Sequence, residues 1–436
     1  MAVEYDVVCR RCDPGAMLAA AFLAVGGCRI LVLPERPDRV CNPDFLVPVL
    51  KGFPAELISG VAELSSVPDD YLVVGREASE TPSQLEKDPW LHLPGGFCGQ
   101  LPESSYQELV ELWGLLDDSM RQGLEMPVSS LQGSGRMLWL VLKNELLRTN
   151  RNRKLSDWLV DIASSENSFS GWRALSPLYS LSRFADPPLL SFAYGLTVLD
   201  SPEAWLPIHR LEELSLELLR RAGADFVTDA WKPIFDGKWF TGVGCNQQVV
   251  RRVTACLADA DPVKLFYEVD HSFRRGDFLR QFRMDSPGFL HHSCPTEAQD
   301  SSDRKALFQL HCCKDGGVDE TIVIGPDSAG EGFLCHRWKA LERPVAERRE
   351  VSGELSVWGG IPRLPAMMGG GFLPLHCGFL RFYQVGWHNL PGFGLGGLVY
   401  SAWQAARLIW THDLQRPAAE LVPCRLFSGL KNKKMF

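Results

Sequence analysis

Residues 5–33 leave this chain little freedom in how it folds. Tyr5 to Cys9 is a short strand-like run, Ala16 to Val25 a helix of small and apolar residues, and Arg29 to Leu33 a second apolar strand, with Gly26-Gly27 ending the helix between them. Two buried strands joined by a helical crossover lie parallel in one sheet, so the chain opens with a βαβ unit and belongs to the α/β class.

The same residues could be mistaken for a leader, because Arg10 and Arg11 precede the apolar stretch Gly15 to Gly27. Two features argue against that: the strand Ile30-Leu31-Val32-Leu33 follows at once, and no Ala-x-Ala cleavage signal is present. No window reaches the roughly 18–20 apolar residues of a membrane-spanning helix. At 436 residues the chain exceeds what one hydrophobic core usually supports, so two interleaved domains are expected. A net charge of −8 without long like-charge blocks excludes a dedicated nucleic-acid binder. Thirteen cysteines, an odd number without framework spacing, read as reduced thiols of a cytoplasmic protein.

Further along, helices are expected over Tyr106 to Met120, Leu138 to Leu147, Leu155 to Ile162 and Leu175 to Phe184, with the Tyr194-Gly195 segment following. Leu211, Leu214, Leu218 and Leu219 share one helical face, and Gly223 and the strand-like Phe226 to Thr228 come next. Asp236-Gly237 is a hairpin turn, and Val249 leads to Ala260-Asp261-Pro262, a strand-to-helix junction. From Val263 to Glu354 the pattern is strand-like, with Gln309 to Cys312 and Thr321 to Ile324 as the best strands. Near the C-terminus, the strand-like Phe379 to Val385 runs into a glycine-rich loop, Gly386 to Gly397, and then a helix over Leu398 to Trp410.

In this order the pieces resemble the FAD-dependent oxidoreductases with two dinucleotide-binding domains, the superfamily of phytoene desaturases, amine oxidases and protoporphyrinogen oxidase. The resemblance implies a split Rossmann-like FAD-binding domain, a parallel sheet with helices, interleaved with an α+β substrate domain. The nucleotide-binding pieces would be 1–75, 201–265 and 355–412. Helices at 76–200 and an antiparallel sheet at 266–354 would form the substrate domain, and 413–436 would be a C-terminal tail.

The family's anchors for the cofactor depart from pattern at three places. Aligned on Asp6, its G-x-G-x-x-G falls on Arg11, Cys12, Asp13, Pro14, Gly15 and Ala16. The glycines of that motif allow a tight turn and a close approach to the diphosphate. Arg11 and Asp13 occupy their places, and a carboxylate at 13 would oppose the phosphates, whereas Ala16 is a mild change. The ribose-binding acid falls on Pro34, with Glu35 one residue on. In the C-terminal motif Gly386, Gly392, Gly394 and Gly396 fit, but Trp387 replaces the acid after the first glycine.

These departures lead to an expectation of no conventional cofactor. The chain would be a degenerate flavoprotein-fold protein serving as an accessory subunit of an active flavoenzyme, or binding a hydrophobic small molecule. The alternative is an active FAD-dependent oxidoreductase on an apolar substrate, with His388 in the glycine-rich loop as the side chain nominated for acid or base chemistry.

No serine-histidine-acid arrangement, P-loop lysine or H-E-x-x-H motif is present. His291, His292, Cys294, His311, Cys312, Cys313, Cys335 and His336 cluster in sequence, yet lack recognised ligand spacing, and adjacent strand residues face opposite ways. No metal is expected. Lys431, Lys433 and Lys434 in the tail could give weak peripheral contact with an anionic membrane, at about 1 kcal/mol each.

Overall fold

The computed structural model describes residues 4–10, 14–33, 46–48, 52, 56–58, 60–61, 103–125, 142–162, 188–199, 205–229, 231–237, 239–245, 248–258, 284–285, 289–292, 308–314, 317–326, 333–339, 361–362, 379–386, 389–390 and 393–421. In chain order its elements begin with β1 (Tyr5–Arg10), α1 (Pro14–Val25), β2 (Ile30–Leu33) and β3 (Leu46–Pro48). Helices α2 (Glu103–Glu125), α3 (Glu145–Asn150), α4 (Leu155–Ile162) and α5 (Leu189–Leu199) follow. Then come β4 (Trp205–Pro207), α6 (Ile208–Arg221), β5 (Asp225–Phe226), β6 (Lys232–Asp236), β7 (Trp239–Cys245) and β8 (Gln248–Ala258). The remainder is β9 (Met284–Asp285), β10 (Phe289–His292), β11 (Phe308–Lys314), β12 (Gly317–Pro326), β13 (Phe333–Lys339), β14 (Ile361–Pro362), β15 (Phe382–Gln384) and α7 (Gly394–Leu408).

The opening unit folds as its apolar pattern requires. β1 and β2 pair in parallel, Val7 against Ile30 and Cys9 against Val32, with α1 as the crossover. On the far side β1 pairs in parallel with the second half of β8, Val7 against Ala255, and β8 in turn with β15, Cys256 against Phe382. β5 adds in parallel to β2. The parallel strands therefore run β5-β2-β1-β8-β15, the α/β sheet expected from the sequence.

β8 serves two layers. Its first half pairs antiparallel with β7, Arg251 against Val243, and β7 pairs with β6 across the Gly237 turn. The β6–β8 meander covers one face of the parallel sheet, where Val8, Leu31, Leu33, Phe240, Val243, Cys256 and Phe382 bury together. Alternate residues on the other face, among them Val7, Cys9, Ile30, Val32, Leu257 and Tyr383, pack under α1, α6 and α7.

α1 is central to that second layer and has no polar face: every residue from Pro14 to Ala24 is buried. It packs on α6 and α7, and Phe22 meets Trp403 of α7 edge-on, with ring centroids 5.1 Å apart. The helix stops where the sequence reading ends it, with Gly27 N donating to Ala24 O at 2.9 Å and Cys28 N to Leu23 O at 3.0 Å.

After α7 the chain passes through one π turn, Ile409–Asp413, and crosses the opposite edge of the sheet. There the Asp6 carboxylate accepts from Arg29 N at 2.9 Å and pairs with Arg416 at 3.4 Å, and Arg416 stacks 4.7 Å from the Trp410 ring. The Cys28 thiol lies 3.6 Å from Arg416, and its burial pushes its pKa up to about 12. Tyr383 donates to Asp413 Oδ2 at 2.6 Å.

A separate sheet runs β10-β13-β12-β11. Its β11, β12 and β13 are antiparallel as expected, but β10 joins parallel to β13, Leu290 opposite His336. A parallel partner needs a long connection, which a local hairpin pattern in the sequence does not disclose. The expected helix at Leu175 to Phe184, the Ala260-Asp261-Pro262 junction and the lysines of the tail lie outside the described residues. Among the described residues no helix is long and apolar enough to cross a membrane.

Two stability tests follow from this packing. Trp403→Ala empties the seam between α1 and α7 and should cost about 3–5 kcal/mol in denaturant unfolding. Asp413 provides the second test. Burial raises its carboxyl above the ordinary carboxylate range, against the opposing pull of Tyr383, Arg381 and His412. Its folded pKa thus exceeds its unfolded one, so its contribution is present below about pH 4 and is lost as pH rises through the folded value. Asp413→Asn keeps an acceptor for Tyr383, and melting curves from acid to neutral pH should lose that decline.

Candidate functional site

The parallel strands set the position of the site. Connections leave β1 toward β2 on one side, while β8 and β15 lie on the other, so the strand order reverses between β1 and β8. In sheets of this kind ligands bind at the carboxyl ends of the strands beside such a reversal. Two helices begin at that edge: α1 leaves β1 after three residues, and α7 follows β15. The two helices pack together, with Phe22 of α1 against Trp403 of α7.

Each N-terminus is suited to an anion. Neither helix carries an acidic residue in its first turn, and the amide dipoles of a helix favour negative charge there. Pro14 opens α1 with the φ that a first helical residue needs. Gly15 and Ala16 follow, both buried and adding at most a methyl group to the turn. Arg10 is only 8% exposed in the last position of β1.

The loop before α7 is closed by a side chain that the sequence reading missed. Asn389, buried at 4% exposure, accepts from Gly386 N at 2.8 Å, and its own N–H donates to Gly386 O at 3.2 Å. Its signal was an Asn three residues after a strand-ending glycine, in the position from which a short amide can bond back to the turn. Phe393 caps α7 without a side-chain bond, and Gly394 enters the helix at φ +49°, a left-handed conformation costly for any other residue.

The glycines of the C-terminal motif are not all loop residues. The helix begins at Gly394, four residues before the expected Leu398, so Gly394 and Gly396 belong to its first turn. A side chain at Gly396 would meet Tyr194 of α5, whose hydroxyl lies 2.5 Å from the Cβ position, so this glycine admits a packed ring. The helix can start early because its opening residues are buried against α5 and Leu390, contacts that compensate for the poor helix propensity of glycine.

Of the residues proposed from sequence, Gly15 and Ala16 lie in the first turn of α1, Gly386 follows β15, and Gly394 and Gly396 lie in the first turn of α7. Arg11, Asp13, Glu35, Trp387, His388 and Gly392 lie outside the described residues. Among the described residues no group of three or more His, Cys, Asp or Glu could hold a metal ion. The histidines and cysteines on β10, β11 and β13 are described through their backbone alone.

No protein-family profile matches the sequence, and no curated protein does. Solved structures do resemble it. A putrescine oxidase studied for redesign of its cofactor binding is 13% identical with a TM-score of 0.47, the match covering 93% of this chain and 98% of that one. Cyclohexylamine oxidase from Brevibacterium oxydans is 14% identical, TM-score 0.45, covering 94% and 100%. An oxidoreductase from Methanosarcina mazei is 12% identical, TM-score 0.46, covering 92% and 99%.

The expectation of a chain without a cofactor is corrected: among the similar structures is a putrescine oxidase studied for its cofactor binding. That expectation weighed three anchors: Arg11 and Asp13 in the phosphate turn, Pro34 in place of the ribose acid, and Trp387 in the C-terminal motif. A diphosphate is held chiefly by helix ends and main-chain amides, and the fold supplies those at the right edge. Among the described residues the first turn of α1 carries no acid, and Gly15 and Ala16 add no more than a methyl group to it, so that turn is open to a diphosphate.

Gly394→Ala should destabilise the folded protein by about 1–2 kcal/mol, the cost of a left-handed residue with a Cβ. Chemical denaturation of the two chains side by side measures it.

Proposed function

We propose that the chain binds FAD at the carboxyl edge of the parallel sheet and acts as an FAD-dependent oxidoreductase on an apolar substrate. One observation carries this reading: α1 and α7, which follow the parallel strands β1 and β15, pack on one another, and neither holds a carboxylate in its first turn.

In this reading the α1 turn at Gly15 and Ala16 takes the diphosphate, whose charge both helix dipoles stabilise. Arg10 adds positive charge at the end of β1. Asn389 ties back to Gly386, at the end of β15, shortly before the α7 turn. The flavin, when bound, supplies the two-electron chemistry, while the protein supplies position and a dry setting. Dryness is consistent with the local packing: Tyr194, Phe393, Leu390 and Leu395 are all buried around the α7 turn.

The purified protein should show the visible absorption of oxidised flavin at about one per chain, or acquire it when incubated with FAD and passed through a desalting column. A chain that stays colourless and leaves the fluorescence of added FAD unchanged would end the proposal.

A further inference from the structure

Tyr194 lies 202 residues before Gly396 in sequence, yet its ring fills the space over the first turn of α7. It is 1% exposed on α5, within a run, Leu189 to Gly195, that is buried throughout. Its ring packs against Phe393, the residue that caps α7, with centroids 5.1 Å apart and planes tilted by 57°. At Gly396 a Cβ would stand 2.5 Å from the Tyr194 hydroxyl, 2.6 Å from Cε1 and 2.9 Å from Cζ. One turn surface at Gly396 and one cap residue at Phe393 therefore clamp the same ring.

The ring itself is held from behind. α5 packs on α2, α3 and α4. In α2, Asp117 accepts from Arg121 at 2.8 Å, and Arg121 makes a two-pronged pair with Glu56 at 2.7 and 2.9 Å. The Asp117 carboxylate also sits against Gly52, where a Cβ would lie 2.5 Å from its Oδ1. Burial, with Asp117 nearby, pushes the phenol well above its ordinary range, so the hydroxyl stays protonated at any working pH. Tyr194 acts here as a neutral, rigid wedge and not as an acid or base.

From this geometry we infer that Tyr194 is a positioning residue of the cofactor site: through Gly396 and Phe393 it sets the first turn of α7, so docking of the helical segment decides how that turn meets a dinucleotide. The inference rests on the FAD reading above and adds that the site is complete only when the α2–α5 helices are seated. Small displacements of binding groups have large effects, with about 1 Å able to cost on the order of a hundredfold.

The test titrates FAD into the full-length apo-protein and four variants, following flavin fluorescence and the visible circular dichroism of the bound ring. Tyr194→Phe keeps the wedge and should bind FAD within about twofold of wild type. Tyr194→Ala removes it and should bind at least about tenfold more weakly, with an altered dichroism spectrum. Gly396→Ala pushes the ring off the turn and should weaken FAD similarly. Combining it with Tyr194→Ala should recover part of that loss, because the added methyl then has room. Thermal melting of each chain shows whether it folds, and if Tyr194→Ala does not, Gly396→Ala against wild type decides. Wild-type FAD affinity in a folded Tyr194→Ala or Gly396→Ala chain would overturn the inference while leaving the FAD reading intact. No FAD binding by the wild type would overturn both.

Discussion

A helix with no polar face cannot lie on a surface, and that constraint on α1 organises the rest of the described nucleotide-type domain. Pro14 to Ala24 are buried on every side, so the helix must be covered by β1 and β2 beneath and by α6 and α7 beside it. Its small residues, Ala19, Ala20 and Ala21 among them, let those neighbours come close, and Phe22 fills the gap against Trp403. α6 lies about 185 residues beyond α1, and α7 lies nearer the C-terminus still. The apolar surface of a twelve-residue helix thus gathers three distant parts of the chain.

β8 performs the matching task for the sheet. By pairing antiparallel with β7 at one end and parallel with β1 and β15 at the other, it joins the meander to the βαβ unit. The same placement puts β15, and therefore the start of α7, on the β8 side of β1. The candidate site is a by-product of that arrangement: two helices that begin at one sheet edge bring two dipoles to one place. At the opposite edge the chain ends are tied by Asp6, Arg29 and Arg416, an ion cluster exposed enough that it orders the segment more than it stabilises it.

Much of this was legible in residue order, for reasons that are local. β1, α1 and β2 follow from uninterrupted apolar runs, α4 from a single amphipathic turn pattern that ends where expected, and the β6–β7 hairpin from Asp236-Gly237. Elements set by distant partners were misjudged. α7 begins at Gly394 and not Leu398, because Tyr194 and Leu390 cover glycines that would otherwise favour a loop. The region of β10 and β13 reads as strand in the sequence, but their parallel pairing does not, since a parallel pair carries no turn between its strands. The expectation about the cofactor rested on Arg11, Asp13, Pro34 and Trp387, which are visible in the sequence, whereas the packing of α1 against α7 is not.

By itself, then, the sequence determined the α/β class, the opening βαβ unit and the glycines of the C-terminal motif, because apolar periodicity and turn chemistry act over a few residues. Only the tertiary structure decided that β15 lies beside β8, that α7 starts next to α1, and that Tyr194 stands against Gly396. Those contacts join residues far apart along the chain, and their energy comes from burial and steric fit, which no local stretch of sequence records.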